Sequence, residues 1–290
     1  MSERDTNLGA AELLALEQLG DSLFRCNRNL HNLTGSIFGG QLLGQAVHAC
    51  RLTVEEWPIH SCAGFFLSQT YVDAPLDFAV ELTRTGRRFA SRRVLASQKG
   101  RPVFDMICSF HDPEEGLAHQ REQMDLLPQP EELISARDFV AANRDRFHEP
   151  MRTIHTMPFP IELRPLDAEA IFFGGAGKAE RNFWFRVPTA DTIADPRDHQ
   201  SLLAFMSDYW LAGAAGAPHR TPGEMKGKFG IASLNHSMWF HAPVRTDEWL
   251  YYTTSSPWAG TGRGLTMGYI YDRAGTLVAS VNQEVSMRFG

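Results

Sequence analysis

From Gly35 to Cys50 the apolar residues Ile37, Phe38, Leu42, Leu43, Ala46, Val47 and Cys50 return every three or four positions. That is the period of a largely buried helix. Runs at about 60–72, 77–86, 88–98 and 101–111 follow and predict a set of antiparallel strands. Ahead of the helix, residues 10–20 read as a short helix and Asp21 to Asn29 as a strand. The order then recurs. Strands expected at about 160–165 and 181–187 precede a second helix with a clear start: Asp195 as N-cap, Pro196 as first helical residue and Asp198 in the first turn. It is expected to end among the glycines after Leu211, with strands near 231–242, 248–257, 262–272 and 276–288 beyond it. The stretch between the two units is rich in proline (Pro113, Pro128, Pro130, Pro158, Pro160) and holds one plausible helix, about 131–147. The pattern divides the chain into a first unit at 1–112, a connector at 113–156 and a second unit at 157–290. One helix followed by a strand meander, twice over, fits a sheet wrapped around a central helix and built in tandem.

The last hairpin of each unit repeats. The first returns through Lys99-Gly100 into Arg101–Phe110, and the second through Asp272–Gly275 into Thr276–Val285. Arg93 aligns with Arg263, Gly100 with Gly275 and Val103 with Val278. Counting by twos, Pro102, Phe104, Met106, Cys108 and Phe110 share one face in the first copy. In the second the face is Leu277, Ala279, Val281, Gln283, Val285 and Met287, so a glutamine stands where the first copy has Cys108. One polar insertion into one of two core faces suggests a site confined to the second half.

Composition adds limits rather than chemistry. A chain of 290 residues with 43% hydrophobic and 21% charged content is that of a soluble globular protein. A net charge of −6 and a pI near 6.0 argue against a nucleic-acid partner. A local basic patch is still conceivable, because Arg84, Arg87, Arg88, Arg92, Arg93, Lys99 and Arg101 crowd one hairpin region. Cys26, Cys50, Cys62 and Cys108 lack metal-ligand spacing and read as reduced, buried residues of a cytoplasmic protein. No apolar run approaches the roughly 20 residues that span a bilayer, and neither a secretory leader nor stable membrane association is expected.

Asp208 falls among Ala204, Phe205, Leu211 and Ala212 at helical spacing, so its carboxylate is expected to point inward. A buried carboxylate must be paired, hydrogen-bonded or functional. Gln283, an amide on a core strand face, needs partners for its oxygen and both N–H groups. Each alone could be structural; together they could hold one water molecule, the carboxylate accepting its proton and the amide orienting it. In Ile231–His241, alternation puts Leu234, Met238 and Phe240 on one face and Ser233 on the other, so periodicity does not bring Ser233 to the core. His199, His236 and His241 lack a metal-binding pattern, and no metal is expected. Gly39-Gly40-Gln41 opens the first helix, where backbone N–H groups at the positive end of the helix dipole could receive a carbonyl oxygen or oxyanion. Close helix packing is an equal reason for these glycines.

Phe38-Gly-Gly-Gln41 with Gly44-Gln45, Ser91-Arg-Arg-Val94, His236-Ser-Met-Trp-Phe-His241 and Val278-Ala-Ser-Val-Asn-Gln-Glu284 resemble the acyl-CoA thioesterase II family, from about residue 20 to 288. The resemblance implies an α+β tandem (double) hotdog fold, two antiparallel sheets each wrapped around a long central helix. It also implies cofactor-independent hydrolysis of acyl-CoA, medium- to long-chain, by a water activated by Asp208, Ser233 and Gln283. The resemblance thus selects Ser233 where alternation does not. The family usually has Thr at that position, and it tends to read Arg-Pro-Gly where this chain has Ser68–Pro75. Gly40, Gln41, Arg93 and Arg263 are candidate substrate contacts, and a homodimer or homotetramer is expected. A non-catalytic acyl-CoA-binding module and a hotdog hydratase are the alternatives.

Overall fold

The computed structural model describes residues 8–30, 35–122, 127–147, 149, 152, 158–174, 177–219 and 229–289. The first half runs α1 (Ala10–Leu14), β1 (Glu17–Gly20), β2 (Leu23–Cys26), α2 (Gly39–Arg51), β3 (Ile59–Phe66), β4 (Leu76–Thr85), β5 (Phe89–Gln98) and β6 (Arg101–His111). After α3 (Ala136–Ala142) the second half runs β7 (Glu162–Pro165), α4 (Ala168–Phe173), β8 (Glu180–Arg186), α5 (Pro196–Ser207), α6 (Gly213–Gly216), β9 (Phe229–Ser233), β10 (Asn235–Phe240), β11 (Leu250–Gly260), β12 (Arg263–Tyr271) and β13 (Leu277–Phe289). The helix expected over 10–20 stops at Leu14. Its second half becomes β1, which pairs with β2 at the sheet edge, so sheet pairing overrides local helical preference. The strand expected over 60–72 ends at Phe66, because the N–H groups of Leu67 and Ser68 both turn to the carbonyl of Val103.

The strands form one antiparallel sheet, in the order β1-β2-β4-β5-β6-β3-β10-β13-β12-β11-β8-β7, with β9 on β13. Each half contributes its own meander, and β3 and β10 join them edge to edge from Ser61–Trp239 to Phe65–Asn235. The pairing leaves neither inner edge open to another chain. The sheet curls around α2 and α5, whose apolar residues, Leu43, Ala46, Val47, Leu202, Leu203 and Phe205 among them, are at most 1% exposed. Each large side chain so buried contributes roughly 1.5–3 kcal/mol.

The two helices run antiparallel and touch. A Cβ on Gly40 would lie 2.2 Å from the Phe205 carbonyl oxygen, and one on Gly44 2.9 Å from that of Ser201. Backbone lies against backbone there, so only glycine fits. At the opposite end of the pair, Arg51 bridges Asp195 and Asp198, the latter at 3.2 Å. Arg197 hydrogen-bonds Asp195, and this with the nearby Arg51 holds the Asp195 carboxyl well below the usual carboxylate range. The N-terminus of α2 therefore meets the C-terminus of α5, and the N-terminus of α5 meets the C-terminus of α2. No helix among the described residues is long and apolar enough to cross a membrane.

Candidate active site

The expected inward turn of Asp208 is present, but its place in the helix is different. α5 ends at Ser207 and Asp208 is its C-cap, because Trp210 takes a left-handed backbone (φ 63°) that no continuing helix accommodates. The terminal position swings the carboxylate toward the first turn of α2. Gln283 donates through Nε2 to Asp208 Oδ1 at 2.6 Å and to Ser233 Oγ at 2.8 Å. The Ser233 hydroxyl and the Gly40 backbone N–H also face the carboxylate. Those donors favour the charged form, yet desolvation by burial outweighs them and raises the Asp208 pKa to about 6. Gln283 is fully buried, and its Oε1 has no hydrogen-bond partner among the described residues. The cluster thus presents a carboxylate that can take a proton near neutral pH and, next to it, an unsatisfied acceptor.

Ser233 reaches this cluster through a one-residue slip that alternation cannot see. Ser237 pairs with Asn282 in β10–β13, but Ser233 pairs with Val285 in β9–β13. The break is at Leu234, whose N–H bonds Glu284 O while its carbonyl accepts from Phe66. A single-residue slip reverses which side chains face the core. Ser233 therefore faces inward, as do His236, Met238 and Phe240 farther along.

Gly39, named from the sequence for its N–H group or for close packing, matters through its missing side chain. A Cβ there would lie 2.7 Å from Asp208 Oδ2, so a side chain would displace the carboxylate. The only sequence signal was the glycine pair itself, which gave no hint of a partner 169 positions away. The Gly40 N–H faces Asp208, and the Gln41 N–H bonds the Phe38 carbonyl at 3.0 Å. The Gln41 side chain is buried and structural: it accepts from Leu30 N–H at 2.6 Å and donates to Arg28 O at 2.9 Å.

The arginines also separate. Arg92 is buried and bonds Thr53 Oγ1 at 2.9 Å and Arg84 O at 2.7 Å. Arg93 is exposed and clasps Asp105 at 2.7 and 3.0 Å. Arg84 lies near the end of β4 with Arg87 and Arg88 in the turn to β5, whereas Lys99 lies in the β5–β6 turn and Arg101 begins β6, at the far end of the hairpin. No single basic patch results. Arg93 and Arg263 are not equivalent either: Arg93 lies opposite Ile107, whereas Arg263 lies opposite Ser286 and bonds Glu284. Register places Met267, opposite Asn282, at the position of Arg93. A shared residue type near a turn does not fix cross-strand position.

The repeat itself is sound, and a bulge in each hairpin anchors it. In β5–β6 the pairing passes from Ala96–Phe104 to Ser97–Pro102, skipping Val103; in β12–β13 it passes from Ile270–Ala279 to Tyr271–Leu277, skipping Val278. Five residues beyond the bulges stand Cys108 and Gln283. Two residues further are Phe110, opposite Ile59, and Val285, opposite Ser233. Aligning the helices at their N-caps, Phe38 and Asp195, sets Arg51 at the place of Asp208. The first half thus holds Arg51, Ile59 and Cys108 where the second holds Asp208, Ser233 and Gln283. Cys108 packs against Cys50 and Cys62, and burial raises its thiol pKa. Acid, hydroxyl and amide are all lost there.

A surrounding shell holds the end of α5. Tyr252 donates to Ser207 O at 2.9 Å, and Ser207 Oγ, bonded to Ala204 O at 2.8 Å, also meets His236 Nε2 at 2.9 Å. Burial lowers the His236 pKa to about 3, so this imidazole is neutral. His199 pairs instead with Thr246 and His241 with Ser280, so the three histidines have separate partners. Among the described residues no group of three or more His, Cys, Asp or Glu is placed to hold a metal ion. An aromatic cluster flanks Asp208: Phe38 on Phe205 (ring centres 5.4 Å apart), Phe159 on Tyr209 (4.9 Å) and Trp210 on Phe183 (5.3 Å).

Residues 129–287 match the family model of the acyl-CoA thioesterase C-terminal domain, and residues 29–111 that of the N-terminal domain. The chain is 34% identical over 283 residues to human acyl-coenzyme A thioesterase 8, covering 95% of this chain and 88% of that protein. It is 31% identical over 278 residues to acyl-CoA thioesterase 2 of Haemophilus influenzae, covering 96% of each. Among solved structures, acyl-CoA thioesterase II TesB2 of Mycobacterium marinum is similar with a TM-score of 0.76 and 34% identity over 97% of both chains. A hot dog fold protein of Alicyclobacillus acidocaldarius gives a TM-score of 0.77 at 17% identity, a likeness of fold alone. The tandem hotdog architecture is thereby established.

Proposed function

We infer the reaction from one premise: the chain belongs to the acyl-CoA thioesterase II family and is a thioester hydrolase. Its reaction is hydrolysis of acyl-CoA to free acid and coenzyme A, and we assign it medium- to long-chain substrates and direct attack by water. Asp208 takes a proton from the water as its oxygen bonds the thioester carbonyl carbon. The tetrahedral intermediate then expels the CoA sulfur, which recovers the proton from Asp208. Gln283 fixes the base and, through its unpartnered Oε1, accepts a hydrogen bond from the water's second O–H, whose proton stays on the attacking oxygen. Ser233 completes the ring of hydrogen bonds. No covalent acyl-enzyme and no cofactor take part. The observation that carries this reading is a buried carboxylate with its pKa raised to about 6, bonded to a Gln amide and a Ser hydroxyl.

Release of free CoA thiol from acyl-CoAs of graded chain length tests the reading. Turnover highest with medium to long chains is expected. Thermal stabilisation by acyl-CoA without thiol release at any length would leave an acyl-CoA-binding module instead. The base also sets a pH profile. Asp208 must be ionised to accept a proton, so kcat/KM is expected to rise with pH through about 6 and then level off. A flat profile across that range would remove Asp208 from the base role.

A further inference from the structure

An open cavity of about 420 Å³ lies between the first half and the start of α5, away from the Asp208 cluster. Leu14, Leu16, Phe24, Leu52 and Ile193 supply an apolar wall, and Gln18, His48 and Asp198 supply its polar groups. His48 Nδ1 lies 3.3 Å from Asp198 Oδ1, and Arg51 backs the same carboxylate at 3.2 Å.

The repeat shows what this cavity corresponds to. Following the paired registers outward from Cys108 and Gln283, Phe24 opposite Phe78 is the counterpart of Phe183 opposite Tyr252. The helix alignment matches His48 with Phe205 and Leu52 with Tyr209. Those counterparts are the rings packed beside Asp208. The strand positions are aromatic in both halves, but His48 and Leu52 stand where Phe205 and Tyr209 fill the second half, and the first half lacks all three catalytic groups. We propose that the cavity is a second, non-hydrolytic site for a fatty acyl chain, its carbonyl end toward Gln18 and the His48–Asp198 pair. The ligand class rests on the acyl-CoA reading above. The chain could be presented as the free acid or as the intact thioester, and both share this chemistry.

Stoichiometry tests it. Radiolabelled palmitate and the non-hydrolysable thioether S-hexadecyl-CoA are titrated separately into wild-type protein and into Ala15→Trp. Ala15 lines the cavity from an exposed position, so the indole fills the cavity without entering the core. One binding equivalent fewer in Ala15→Trp for at least one ligand is expected, and the ligand that loses it identifies the source. Palmitoyl-CoA hydrolysis by the same preparations should stay at the wild-type rate, which also shows that the variant is folded. Ala11→Trp, at another exposed lining position, serves if Ala15→Trp fails to fold. Equal stoichiometry in wild type and variant for both ligands would overturn the proposal even if hydrolysis is normal. Absence of hydrolysis in the wild type would instead overturn the acyl-CoA reading.

Discussion

Asp208→Asn is expected to lower the rate of thioester hydrolysis roughly 10²–10⁴-fold, the range contributed by a positioned general base. The same variant should be no less stable than the parent at pH 8. Burial raises the native Asp208 pKa from the ordinary 3.8 to about 6, so the folded protein holds this proton more tightly than the unfolded chain. The contribution of the group to stability is complete below the unfolded value and is lost as pH rises through the folded value. Above pH 6 the folded protein carries a buried charge at a cost of about 3 kcal/mol at most. Asn removes that charge and can still accept the hydrogen bond from Gln283. Two measurements check this: thiol release from palmitoyl-CoA, and the thermal midpoint at pH 8 and at pH 4, where the carboxyl is protonated and the gain should vanish. Undiminished turnover would end the general-base role, whereas lost turnover with a lower midpoint at both pH values would mark Asp208 as structural.

Gly40→Ala is expected to lower both stability and activity. Within a helix this change ordinarily stabilises by roughly 0.5–1 kcal/mol. Here the new Cβ would lie 2.2 Å from the Phe205 carbonyl oxygen, a backbone atom that moves only if α5 moves. Overpacking of that kind costs roughly 1–3 kcal/mol, occasionally more, so the clash outweighs the helical gain. Separating the helices also withdraws the Gly40 N–H from Asp208, so hydrolysis should fall even in the fraction that folds. Gly116→Ala is the control, since a Cβ there meets nothing within 4 Å. Thermal midpoints and turnover of the two variants decide the matter. A Gly40→Ala protein with parental values for both would mean that the helices do not approach as described.

Both variants test the contact between α2 and α5, and that contact is what gives the tandem repeat its purpose. The Asp208 carboxylate belongs to the second half, but the N–H beside it and the glycine surface it rests on belong to the first. The first half is therefore part of the proposed active site although Arg51, Ile59 and Cys108 occupy its own equivalent positions. A guanidinium, an alkyl group and a thiol with its pKa raised by burial cannot activate water.

Local patterns announced what depends on neighbours in sequence. Helical periodicity placed α2, a proline-led N-cap placed the start of α5, and alternation placed β4, β5, β6 and β13 with Gln283 facing the core. The matched hairpins disclosed the repeat, and the polar residue in one copy pointed to the half that holds the Asp208–Ser233–Gln283 cluster. Three features were not legible, for three different reasons. The C-cap position of Asp208 depends on a left-handed Trp210, a backbone state that no residue type there signals. Ser233 turns inward through a slip at Leu234, which exists only because that residue bonds two other strands. Gly39 and Gly40 matter because the end of α5 rests on them, a contact between segments more than 160 residues apart. The sequence by itself determined the elements, the duplication and which half is polar at its core. Tertiary structure decided where the Asp208 carboxylate sits and what holds it, because close packing between remote segments sets those distances.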